Sequence, residues 1–320
     1  MRLVAAGSAA ALVVFPADTP RQQSFRGAVD LVQLEVSVTD NRDRPVTNLT
    51  AEDFEVTDNG ARQTILNLTY ETVPIDVTLV VDVSASVQGR LLNAIVSAAS
   101  QIRERLRDDD RLAIVEFSQR VRERVALSGA AEVGEVALGP AEGWTSLNDA
   151  IATAVSMPPL NDRRQMVLVF TDGHDTVSFL DEDTVLDVAR RSRAAVLVVA
   201  AGRGGIGAQG NLSGIQIRQS NRGLPMDFFT RLAESTGGVV QIVPAMVAAQ
   251  PRAGAIQVRP NTYARFLDDA FIRAFDDFRN SYILHYAVEG VPRLGWHDVE
   301  VRVTRRGRHQ VRSRTGYFGG

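Results

Sequence analysis

One short stretch carries oxygen-bearing side chains at a spacing that suits a hard divalent cation. In Asp82-Val83-Ser84-Ala85-Ser86 the Asp and both Ser are spaced by two, so they share one side if the chain stays extended. A carboxylate with hydroxyl oxygens suits Mg²⁺, which takes six oxygen ligands at about 2.0–2.1 Å. Two further stretches place oxygen donors at element ends. Gly143-Trp144-Thr145-Ser146-Leu147-Asn148-Asp149-Ala150 puts a Thr at a helix start, and Phe170-Thr171-Asp172-Gly173 puts an Asp at a strand end. Taken singly, each Asp reads first as a cap of a helix or loop. Asp149 and Asp175 read as a helix-start residue and a loop residue.

Other chemistries are excluded by what is missing. The 320 residues contain no cysteine, which removes disulfides, thiolate metal sites, Fe–S clusters and cysteine nucleophiles. All 35 basic residues are Arg, so no Walker-A lysine, PLP Schiff base or lysine base exists. The formal net charge of −3 gives no footprint for a nucleic-acid partner. His174, His285, His297 and His309 form no zinc-hydrolase motif, and G-x-S-x-G is absent. Gly205-Ile206-Gly207-Ala208-Gln209-Gly210 matches G-x-G-x-x-G but follows a late strand and opens no helix, which argues against a dinucleotide site. Asp82 as a phosphoryl acceptor would want a second Asp where Ser84 stands, and a lysine. The Arg-rich stretch Arg302–Arg314 reads as the solvated face of a strand pair.

The elements that must position these residues are legible from periodicity. Continuous apolar runs at Val77–Val83, Leu112–Phe117, Val167–Thr171, Ala195–Ala201 and Val239–Val243 read as buried strands. Between them, Leu91–Leu106, Leu147–Val155, Val185–Ser192 and Met226–Ser235 carry helical spacing, and Tyr263–Arg279 is an amphipathic helix. This alternation implies an α/β fold: a doubly wound, mostly parallel sheet with helices on both faces. The ends are different. Val32, Leu34, Val36 and Val38 alternate with polar residues, Asp58-Asn59-Gly60 signals a hairpin, and Tyr282–Tyr286 and Val299–Val303 alternate again. Both ends are expected to pair in space as one small antiparallel β unit, with the α/β segment inserted in it. The expected division is residues 1–20, 21–73, 74–280 and 281–320. Residues 1–20, with Arg2, an apolar run from Leu3 to Phe15 and a Pro-rich exit, read as a secretory signal peptide. That run is too short to span a bilayer, which needs roughly 20 residues, and no other segment could do so.

The three oxygen-bearing stretches together resemble the von Willebrand factor type A domain family. The resemblance covers roughly Pro74 to Phe278 and includes Asp110–Ser118 as a second strand. It implies a Rossmann-like sheet of order 3-2-1-4-5-6 and a metal-ion-dependent adhesion site. That site's Asp-x-Ser-x-Ser, distant Thr and distant Asp fall on Asp82, Ser84, Ser86, Thr145 and Asp172. Ser84, Ser86 and Thr145 would bind the ion directly, and the two Asp largely through water. The ion would be Mg²⁺ or Mn²⁺, with Ca²⁺ as a further option. The implied function is non-enzymatic: the ion's open position takes an Asp or Glu of a partner protein. The alternative is a metal-dependent phosphoesterase or other hydrolase, for which His174 and Asp175 are the candidate bases. Val46–Phe54 and the ending Arg314-Thr315-Gly316-Tyr317-Phe318 are similar to exported bacterial proteins with a related domain, which implies a periplasmic, cell-surface or secreted protein.

Overall fold

The structure, a computed structural model, describes residues 31–70, 73–158, 160, 163–201, 224–243 and 260–319. The signal-peptide segment and the G-x-G-x-x-G motif lie outside the described residues. Among the described residues four strands come first: β1 (Leu31–Thr39), β2 (Phe54–Asp58), β3 (Ala61–Gln63) and β4 (Ile65–Tyr70). An alternating segment follows: β5 (Ile75–Asp82), α1 (Arg90–Arg105), β6 (Arg111–Phe117), β7 (Val121–Gly129), α2 (Leu147–Val155), β8 (Arg164–Thr171), α3 (Glu182–Arg191), β9 (Ala195–Ala201), α4 (Met226–Thr236), β10 (Val240–Val243) and α5 (Pro260–Arg279). The chain closes with β11 (Tyr282–Ala287), β12 (Gly295–Val303), β13 (Gln310–Arg312) and β14 (Gly316–Gly319). Among the described residues no helix is long and apolar enough to cross a membrane.

The alternating segment builds a six-stranded sheet in the order β10-β9-β8-β5-β6-β7. All its pairings are parallel except β6 with β7. The central strands β5, β8 and β9 are buried at nearly every step because both faces are covered. Val77, Leu79 and Val81 of β5 pack with Leu91 and Ile95 of α1 and Phe271 and Phe275 of α5. Val80, one step out of phase, packs with Leu147 and Ile151 of α2 and Phe228 of α4 on the other face. Strand β7 escapes the periodicity reading for a physical reason. It is an edge strand whose Arg122, Glu123 and Arg124 are exposed, and edges tolerate or require charge.

Both chain ends contribute to two four-stranded antiparallel sheets, β13-β1-β11-β4 and β14-β12-β2-β3. The expected β unit is therefore divided into two layers. Leu34 and Val36 of β1, Tyr282, Leu284 and Tyr286 of β11, Val56 of β2, and Val299 and Val301 of β12 share one core between them. The β2–β3 hairpin turns on Asn59 (φ 46°) and Gly60 (φ 79°), the paired positive angles of the turn that matches strand twist. The inserted segment is tied down at the start of β8. Buried Arg164 donates to Ser281 Oγ (2.6 Å) and to the carbonyl of Phe278, and pairs with Glu35 (3.2 Å).

Candidate metal centre

Strand order within the six-stranded sheet reverses direction at β5, which has β6 on one side and β8 on the other. A crevice forms beyond the carboxyl ends of strands at such a point. The register pairs Val81 with Phe170, so Asp82 and Thr171 stand beside each other at the sheet's end. The Thr171 hydroxyl donates to Asp82 Oδ2 (2.9 Å), and the Ser84 backbone N–H donates to Oδ1 (2.8 Å).

Beyond Ser84 the chain does not stay extended. Residues Ala85–Val87 make a single 3₁₀ turn, closed by Val87 N–H to the Ser84 carbonyl (3.1 Å). The turn, rather than strand alternation, brings the serines together, with Ser84 Oγ and Ser86 Oγ 3.0 Å apart. Ser86 Oγ then donates to Asp172 Oδ1 (2.7 Å), across to the loop that leaves β8. Ser84, Ser86 and Asp172 thus form one run of oxygens drawn from two segments, and Asp82 joins it through the Ser84 backbone N–H. Asp82, Ser84 and Asp172 are buried, and Ser86 faces solvent.

Thr145 arrives from a third segment fastened to the same loop. The Ala85 N–H donates to the Gly143 carbonyl (3.1 Å) and the Glu142 N–H to the Val83 carbonyl (2.8 Å). Gly143 has φ +77°, a left-handed conformation that suits glycine. Thr145 is buried, and its backbone carries its hydrogen bonds: N–H to Thr176 Oγ1 (2.9 Å), and carbonyl from Thr176 N–H (2.8 Å).

Electrostatics at the centre are one-signed. Burial pushes the Asp82 carboxyl up to about 6, and the neighbouring Asp172 charge adds to this, against the pull of hydrogen bonds from Ser84 and Thr171. A divalent cation would offset that opposition. The donors are all hard oxygens, so the residues present suit Mg²⁺, Mn²⁺ or Ca²⁺ rather than a soft metal. Among the described residues no group of three or more His, Asp or Glu is placed to hold a metal ion, so any metal here would depend on hydroxyls.

Several contributors are absent from the five candidates. Thr171, adjacent to Asp172 in the quoted motif, holds Asp82; alternation along β8 would have flagged it. Asp149 accepts from the N–H groups of Phe179 and Leu180 (both 3.1 Å). Asp175 accepts from Asn148 N–H and Ser178 N–H (both 3.0 Å). These two carboxylates bolt the loop after β8 to the start of α2, consistent with helix-start and loop roles. His174 is exposed.

Comparison with known proteins gives the following. Residues 76–222 match the model of the von Willebrand factor type A domain. An uncharacterized protein of Synechocystis sp. is 28% identical over 109 residues, covering 32% of this chain and 26% of that protein. Proximal thread matrix protein 1 from the mussel byssus is 14% identical, covering 69% of this chain and 49% of its own, with a TM-score of 0.44. The PilB minor pilin of Streptococcus sanguinis, in a mutant form, is 12% identical, covering 65% and 62%, with a TM-score of 0.43. The matched region thus spans about a quarter of the Synechocystis protein and about half of the mussel protein. Residues 76–222 carry a von Willebrand factor type A domain.

Proposed function

We propose that this protein is a non-catalytic binding module that takes up Mg²⁺ or Mn²⁺, with Ca²⁺ as a further option, and captures an Asp or Glu side chain of a partner protein. Ser84, Ser86 and Thr145 would hold the ion directly. Asp82 and Asp172 would orient the hydroxyls and balance its charge. When bound, the ion supplies an electrophilic position for a carboxylate. The observation that carries this reading is the run of oxygens Ser84–Ser86–Asp172 at the reversal point of the sheet, open at Ser86, with Asp82 joined to it through the Ser84 backbone N–H. An exported setting belongs to the same reading and draws on the residues 1–20 pattern.

The hydrolase alternative lacks a poised base. Asp175 spends its oxygens on Asn148 and Ser178, and His174 sits on the exposed face of its loop. The test is calorimetric titration of Mg²⁺ into the native chain, Asp82→Ala and Ser84→Ala. The native chain is expected to bind and both variants to lose most of the heat; equal heats from all three overturn the assignment. A phosphoester screen with and without Mg²⁺ checks the absence of turnover.

A further inference from the structure

Seven large apolar side chains are exposed among the described residues, and three of them lie on the two segments that hold Thr145: Trp144 (65%), Val177 (39%) and Phe179 (97%). Trp144 is bonded directly to Thr145, so their Cα atoms lie about 3.8 Å apart. The Val177 N–H donates to the Thr145 carbonyl (3.3 Å). Phe179 is the most exposed, yet its backbone is fixed: its N–H and that of Leu180 both donate to Asp149. The Asn148 side chain holds the Leu180 carbonyl (3.0 Å), and Ser178 is held by Asp175 (3.0 Å). Exposed aromatics on a rigid frame gain nothing for the fold, and apolar surface of this kind beside a polar site marks an interaction surface.

We propose that Trp144, Val177 and Phe179 form a recognition rim, selecting a partner segment in which the captured Asp or Glu is flanked by an aromatic or long aliphatic side chain. The inference rests on the metal-dependent reading above. An extended peptide advances about 3.3 Å per residue, so a side chain one or two positions from the carboxylate reaches as far as the rim starts from Thr145. The rim is continuous with a site that takes one carboxylate, which favours a linear protein segment over a lipid surface or a second copy of this chain.

The chain has two tryptophans, so Trp296→Phe leaves Trp144 as the sole fluorescent reporter. Two synthetic heptapeptides serve as probes, each with one central Glu, flanked by Gly in one and by Phe in the other. In Mg²⁺ the Phe-flanked peptide is expected to bind at least about tenfold more tightly, with a blue shift of Trp144 emission, and Phe179→Ala is expected to bring the ratio of affinities close to one. Equal affinities, no binding of the Phe-flanked peptide at millimolar concentration, or a ratio unaltered by Phe179→Ala overturns the rim. So does a blue shift produced by phosphatidylserine vesicles, or by self-association in Mg²⁺, with no preference between the peptides. Mg²⁺ calorimetry without peptide separates the two levels. Uptake of Mg²⁺ with no peptide preference overturns the rim alone; no uptake overturns the metal reading and the rim with it.

Discussion

Asp82 is held charged at a cost to the fold, and replacing it with Asn should reveal that cost. Its carboxyl moves from the ordinary 3.8 to about 6 through burial, and Asp172 adds a like charge. At about 1.4 kcal/mol per pH unit this opposes folding by roughly 3 kcal/mol at neutral pH. The sign follows from proton binding. Below about pH 4 the group is protonated in folded and unfolded chains alike. Between about pH 4 and 6 the folded chain holds the proton more tightly, so stability falls as pH rises, and above 6 the full penalty is present. Asn keeps an oxygen for the Ser84 N–H, while its amide can donate to the Thr171 hydroxyl, which already has the Gly173 carbonyl within reach (3.4 Å). In EDTA at pH 8, Asp82→Asn should therefore be more stable than the native chain by about 1–3 kcal/mol, and the gain should vanish near pH 4. Saturating Mg²⁺ should reverse the ranking, since a ligand at a hundred times its Kd adds about 2.7 kcal/mol to the native chain alone. Urea unfolding followed by circular dichroism across pH reads all of this. A stability difference that is flat with pH, or an Asn variant that is weaker in EDTA at pH 8, refutes the reasoning.

Three other perturbations test the frame. Asp58 is fully buried between the two β layers, with His297 Nδ1 at 2.7 Å and the hydroxyls of Tyr317 and Tyr286 donating at 2.8 and 2.9 Å; Asp58→Ala should cost about 3–5 kcal/mol in urea unfolding, and Tyr317→Phe only about 1. Arg279→Met strands buried Asp110, whose oxygens also take the N–H groups of Ile75 and Arg107 (both 2.8 Å), and should lower the thermal midpoint by an amount equivalent to about 3–5 kcal/mol. Gly143→Ala forces a side chain into φ +77° with Gln119 3.2 Å from the new Cβ, and should cost about 1–2 kcal/mol by urea unfolding while weakening Mg²⁺ uptake in calorimetry.

What could be read from the sequence tracks how strictly physics constrains each residue. A strand buried on both faces carries a long apolar run, so β5, β8 and β9 announce themselves, and α2 and β9 are found to the residue. Asp82, Ser84, Ser86 and Asp172 stand out because oxygen donors beside such strands have no packing reason to be there. Strand β14 hid for the opposite reason. Its four residues include Gly316 and Gly319, which are needed because a Cβ there would meet Trp296 or the Arg293 carbonyl, and glycine reads as a turn. The His297–Asp58 contact joins residues 239 apart, a pairing that no local pattern signals. Spacing also misstated the geometry between Ser84 and Ser86. A period of two assumes an extended chain, whereas the 3₁₀ turn sets their real separation.

The candidate centre exists only when the sheet does. Asp82 and Asp172 are neighbours because β5 and β8 pair in parallel register, and Ser86 bonds to Asp172, 86 positions away in sequence. An unfolded chain has no comparable cluster, so ion binding and folding draw on the same free energy. The loops around the centre sit differently in that balance. Asp149 and Asp175 fasten the segment from Asp175 to Leu180 through backbone N–H groups and not through the oxygen chain itself. Emptying the centre should therefore leave that segment in place, with Phe179 still presented. It follows that metal removal should abolish carboxylate capture without loosening the rim. Amide exchange distinguishes the cases: protection at Phe179 and Leu180 should persist in EDTA for the native chain and be lost in Asp149→Ala.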